Sequence, residues 1–146
     1  MSLFREEFEV VGNDFIHAGE ASLKIKNILK ELGVDPDLMR RVAIAAYEGE
    51  INQVIHAEGG TMALELLDDG ILIIFEDEGP GIPDVELAMQ EGYSTASEEA
   101  RAMGFGAGMG LPNIRKNSDE FELNSRVGRG TKLVVKFHHS WDGDRT

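Results

Sequence analysis

From Phe4 to Val11 the chain alternates, with Phe8 and Val10 set against Glu7 and Glu9, and this period of two predicts a half-buried edge strand. The period then lengthens. Phe15, Ala18, Ser22, Ile25, Leu29 and Leu32 recur at helical spacing, with Asn13 or Asp14 as the cap and Gly33 as the stop. A second helix opens with Asp35 as N-cap and Pro36 at the first helical position, and Val34 and Met39 are placed for a hydrophobic staple. It runs to about Ala57, and Gly59-Gly60 ends it. Thr61 to Leu67 turns Met62, Leu64 and Leu66 inward, Asp68-Asp69-Gly70 is a tight turn, and Ile71 to Glu76 is apolar on both faces. The latter therefore reads as a central strand, antiparallel to the one before it. Asp77 to Phe105 has few such signals beyond a short helix near Asp84 to Glu91. A stretch so long, rich in Gly, Pro, Ser and Thr, reads as a functional loop, with a mobile lid expected from about Ile82 to Met109. A short helix follows the glycine-rich run. Phe121 to Ser125 and Thr131 to Phe137 are then two more strands, joined at Gly128-Arg129-Gly130 with Leu133, Val135 and Phe137 inward.

These elements predict an α+β fold, a two-layer sandwich in which helices cover one face of a mainly antiparallel sheet of four to five strands. They do not alternate in the βαβα manner of a doubly wound nucleotide fold. The glycine run does not directly follow a strand, and no GxxxxGK[ST] occurs, so the Rossmann and P-loop readings are both weak. One domain is expected over residues 1–140, with 141–146 as a frayed tail.

Composition narrows the partners. With 146 residues, 42% of them hydrophobic, the chain can build a core of its own. No apolar run approaches membrane length, no signal-like segment opens the chain, and there is no cysteine, which together predict a cytoplasmic protein away from membranes. The net charge of −13 repels nucleic acid at long range, so no nucleic-acid partner is expected. It repels nucleotides too, so a phosphate site here must act locally, through amides and a divalent cation.

Such a site has a natural place. Met103 to Arg115 reads MGFGAGMGLPNIR, with Gly104, Gly106, Gly108 and Gly110 at every second position before a helix-capable segment. Freely turning residues let backbone N–H groups converge, and the helix start adds unpaired donors and a positive dipole end. A flexible linker is the bland alternative, but Phe105, Met109 and Leu111 are interleaved where linkers carry serine. On the second helix, about 100° per residue puts Glu48 within about 40° of Ile44, on the stripe shared by Ile51 and Ile55, with Asn52 one turn beyond. Glu48 could be a base and Asn52 a neutral oxygen ligand for Mg²⁺, or Glu48 could be a surface glutamate at the stripe's edge. Glu50 points to nearly the opposite side, where replacement by glutamine is expected to be nearly silent. Gly49, costly inside a helix, suggests a close neighbour at that turn. Asp77, Gly79 and Gly81, in DEGPGIP, alone read as a turn, and Thr131 alone is unremarkable. His17 and His56 fall on helices and His138 and His139 near the tail, none at metal-ligand spacing.

In this order the pieces resemble the Bergerat-fold (GHKL) ATPases, the superfamily of gyrase, Hsp-type chaperones, histidine kinases and MutL, over about residues 40 to 137. Glu48 to Asn52 matches the N box, and Asp77, Gly79 and Gly81 match the first glycine box. Gly104 to Leu111 (GFGAGMGL) matches the second glycine box, and Gly128 to Thr131 the last motif. The resemblance implies that Glu48 is the catalytic base, that Asn52 holds Mg²⁺ and that Asp77 binds the adenine amine. It also implies that Gly104, Gly106, Gly108, Met109, Gly110 and Leu111 wrap the phosphates of ATP as part of the lid. Gly-Glu-Ile lies between Glu48 and Asn52, and Gln53 follows, where members usually have small apolar residues. The chain looks most like the small anti-sigma factor and switch serine kinases, and EGYST (Glu91 to Thr95) and SDEFELNSRVGRGT (Ser118 to Thr131) resemble the switch-kinase branch in particular. That branch implies an ATP–Mg²⁺-dependent protein serine/threonine kinase acting on a small antagonist-type regulatory protein, and it leaves room for a homodimer. The alternative is an ATP-gated module that sequesters a sigma factor or other regulator with little or no catalysis.

Overall fold

The computed structural model describes residues 2–56, 59–78, 89, 110–126 and 128–141. Five strands, β1 (Ser2–Val11), β2 (Gly59–Leu67), β3 (Gly70–Asp77), β4 (Glu120–Arg126) and β5 (Gly130–His138), form one sheet in the order β1-β2-β3-β5-β4. Every neighbouring pair is antiparallel. The expected two-layer α+β sandwich is thus what the chain forms. The helices among the described residues are α1 (Glu20–Glu31), α2 (Pro36–His56) and α3 (Gly110–Asn117).

Period-two patterning turns Met62, Leu64, Leu66, Ile71, Ile73, Phe75, Leu133, Val135 and Phe137 toward the helices, and all are buried. Ile25 and Leu29 of α1, Val42 and Val54 of α2 and Ile114 of α3 close over them in one core. β1 is one of the two edge strands, and of its residues only Val10 is buried. α2 starts as its sequence directs: the Asp35 carboxylate accepts the N–H groups of Asp37 (3.1 Å) and Leu38 (3.3 Å). Among the described residues, no helix is long and apolar enough to cross a membrane.

α1 departs from expectation. It begins at Glu20 rather than beside Asn13 or Asp14, its N-cap is Gly19 at φ +100°, and no side chain of the cap bonds it. Asp14 is occupied elsewhere, its carboxylate accepting the N–H of His17 and standing 2.9 Å from the His17 ring nitrogen. His17 therefore lies in the turn before the helix. The start of α1 is satisfied from α2: the Glu50 carboxylate accepts the N–H groups of Gly19 (2.9 Å), Ala21 (3.3 Å) and Ser22 (2.9 Å) and the Ser22 hydroxyl (2.7 Å). A carboxylate at the positive end of a helix is favourable twice over, by hydrogen bonding and by the dipole. Leu32, expected on the inner stripe, is half exposed, because α1 ends at Glu31 and leaves it as the C-cap. At the other end of the chain Trp141 is fastened, its indole N–H donating to the Leu67 carbonyl at 2.7 Å.

Candidate active site

The site is assembled on the face of α2 that meets α3 and the ends of β3 and β5. Its depth is set at Gly49, where a Cβ would stand inside the Phe75 ring. The helix consequently lies directly on β3, as the glycine suggested. Glu48 and Asn52, one turn apart and both half-buried, flank that contact.

α3 reaches the same face. A Cβ on Gly110, its first residue, would lie 2.9 Å from Asn52 Oδ1 and 3.1 Å from Asn52 Nδ2, so the helix behind the glycine run begins on the Asn52 amide. No acidic side chain occupies the first turn of α3, and the start of a helix is a place suited to an anion. One turn on, the Asn113 side chain hydrogen-bonds Glu48. Burial raises the Glu48 carboxyl above its ordinary value, and the Asn113 bond opposes that rise. Asn113 was missed in the sequence, although it stands three residues after Gly110 and so on the same helical face. Arg41 of α2 locks the far end of α3: its Nε donates to the Asn117 carbonyl at 3.0 Å and its Nη2 to the Asp119 carboxylate at 3.1 Å.

Asp77 and Thr131 are register partners where β3 ends and β5 begins. The Thr131 hydroxyl is 2.8 Å from that of Ser125 on β4. Gly130, before it, has φ +100°, and a Cβ there would collide with the Asp77 carbonyl. Only glycine lets the β4–β5 turn come this close to the end of β3. Leu111 packs partly against the core, so it is the backbone of that first turn that faces outward.

The structure thus brings Glu48, Asn52, Gly110 and Asn113 together, and sets Asp77 beside Thr131. Gly79, Gly81, Gly104, Gly106, Gly108 and Met109 lie outside the described residues, as do the expected lid and the short helix near Asp84 to Glu91 (Met89 apart). Among the described residues no group of three or more His, Asp or Glu could hold a metal by itself. A Mg²⁺ ion would fit here as a hard cation with one protein oxygen, from Asn52, and the rest from phosphate and water.

Comparison with known proteins agrees with this geometry. Residues 25–140 match the family model described as histidine kinase-, DNA gyrase B-, and HSP90-like ATPase. The serine/threonine-protein kinase RsbT of Bacillus subtilis is 38% identical over 112 residues, 74% of this chain and 78% of that protein. An anti-sigma F factor of Caldanaerobacter subterraneus is 39% identical over 95 residues, 62% of this chain and 63% of that one. In fold, the chain is similar to the mycobacterial sensor histidine kinase MprB, with a TM-score of 0.54 at 13% identity over 94% of this chain and 99% of that one.

Proposed function

Because the chain belongs to the family of histidine kinase-, DNA gyrase B- and HSP90-like ATPases, we propose that it is an ATP–Mg²⁺-dependent protein serine/threonine kinase acting on a small regulatory partner in the cytoplasm. The observation that carries this reading is the meeting of Glu48, Asn52 and the start of α3 on one face of α2.

Each side chain has a role its surroundings suit. Asp77 accepts the amine of the adenine base, with Thr131 beside it. The first turn of α3 directs its backbone N–H groups at the phosphates. Asn52 would hold a Mg²⁺ ion, which when bound would supply neutralising charge for the phosphates. Glu48 takes the proton from a serine or threonine hydroxyl of the partner as that oxygen bonds to the γ-phosphorus. The bond from that phosphorus to the bridging oxygen breaks, and ADP leaves. A carboxyl whose affinity for protons is raised by burial is a better base than an exposed one, provided it is ionised at working pH. Asn113 orients it.

The test is capture of partners from a cell extract with Mg–ATP present, followed by mass spectrometry. A captured protein carrying a new phosphoserine or phosphothreonine supports the kinase. Stable capture of an unmodified sigma factor or regulator would favour the sequestering module instead.

A further inference from the structure

Gln53 lies beside the groups assigned above and takes no part in the roles given to them. It is 3% exposed. Its Nε2 donates to two strand carbonyls, Thr61 at 3.1 Å and Glu76 at 3.2 Å. Thr61 and Glu76 are register partners on β2 and β3, so the amide lies across the strand pair with its NH₂ toward the sheet. The orientation is fixed chemically: turned over, the amide would set its oxygen against two carbonyl oxygens. Oε1 is buried and has no hydrogen-bond partner among the described residues. Buried amide oxygens are rarely left so, because the loss of hydration is then uncompensated. A donor from outside the chain would satisfy it.

The position indicates which donor. A Cβ on Gly60 would lie 2.9 Å from Gln53 Nε2 and 2.9 Å from Asp77 Cβ. The Gln53 amide and the Asp77 side chain therefore flank one point, and Gly60 must lack a side chain for both to be there. The Gln53 amide is thus a neighbour of the Asp77 side chain at the end of β3.

We propose that Gln53 is a specificity-determining residue for the nucleotide base, its Oε1 accepting one hydrogen of the adenine amine while Asp77 accepts the other. An exocyclic amine carries two N–H donors and suits two acceptors. Guanine presents a carbonyl oxygen at that position and would set an acceptor against two acceptors. This deepens the ATP reading and rests on it.

Calorimetric titration of the full chain with Mg²⁺ tests it, using ATP, N6-methyl-ATP and purine riboside triphosphate, which lacks the amine. In the unmodified protein N6-methyl-ATP should bind about tenfold more weakly than ATP, since neither amine hydrogen is dispensable. Full affinity for N6-methyl-ATP would overturn the proposal, because the methyl could then turn to an unused side. Gln53→Met should weaken ATP by about tenfold and leave purine riboside triphosphate unchanged. Equal loss for the two nucleotides, or no loss for either, would assign Gln53 to the strand carbonyls alone. Should Gln53→Met fail to fold, the methylated nucleotide decides the question on the unmodified chain. Absence of ATP binding to that chain would instead overturn the ATP reading beneath.

Discussion

The Glu50 carboxylate accepts both the backbone N–H of Ser22, at 2.9 Å, and its hydroxyl, at 2.7 Å, across 28 positions of the chain. Two residues earlier on the same helix, Glu48 faces α3. One turn of α2 therefore carries two carboxylates with opposed work, one building the fold and the other suited to chemistry. Glu50→Gln is nearly isosteric, yet its NH₂ cannot accept the N–H groups of Gly19, Ala21 or Ser22. Hydrogen bonds to a charged group contribute about 1.5–3 kcal/mol, so a loss of about 2 kcal/mol is expected, where the helical phase alone suggested silence. Thermal unfolding reads it directly. An unchanged melting temperature would show that α1 finds other acceptors.

Why this was illegible in the sequence is instructive. Helical phase places Glu50 opposite Glu48, but it cannot say that the opposite side holds the start of another helix. Asn13 and Asp14 look like caps because capping is usually local. Asp14 turns to His17, and the cap of α1 comes from a residue 31 positions from Gly19. What local patterning controls was legible: the five strands, the Asp35 start of α2, and the pairing of Glu48 with Asn52. The approach of Gly110 to Asn52 joins motifs 58 positions apart, and nothing in either motif by itself specifies it.

Gly49→Ala sets two effects against each other. In an exposed helix the change would stabilise by about 1 kcal/mol. Here the added methyl enters the Phe75 ring, and forcing a methyl into a packed core costs about 1–3 kcal/mol or more. Packing wins, so the variant should be destabilised in denaturant unfolding and should bind ATP more weakly as α2 lifts from β3. A variant as stable as the parent would mean that the ring swings aside freely.

Asp77→Asn exchanges an acceptor facing the base amine for an amide that can flip. Most nucleotide affinity should be lost, and the preference for ATP over GTP with it. Competition binding with the two nucleotides measures both. Retention of the parent's preference would reduce Asp77 to a turn residue at the end of β3.

ATP should bind at useful affinity only together with Mg²⁺, because a chain of net charge −13 attracts no polyanion at long range and Asn52 supplies no charge of its own. Titration in EDTA against titration in Mg²⁺ tests this. Equal affinities in the two would remove Asn52 from the metal site.

Glu48→Gln separates chemistry from binding. The side chains are nearly the same size, so α2, Asn52 and the start of α3 should keep their places and ATP should bind as well or slightly better. A general base contributes about 10²- to 10⁴-fold, and phosphate transfer should fall by that order. The raised carboxyl also fixes two signs. Transfer by the parent should increase with pH through a value above the ordinary glutamate range, because the base must be ionised. A proton affinity raised by folding contributes stability that is present below the unfolded-state value and lost as pH rises through the folded one. Glu48→Gln should therefore melt above the parent at neutral pH, with the difference vanishing in acid below the ordinary glutamate range. The matched control is Glu31→Gln, an exposed glutamate at the end of α1, which should alter neither transfer nor melting. If Glu48→Gln and Glu31→Gln phosphorylate the partner at the same rate, Glu48 is not the base. A melting difference that persists would then leave its burial, and its bond to Asn113, as purely structural facts.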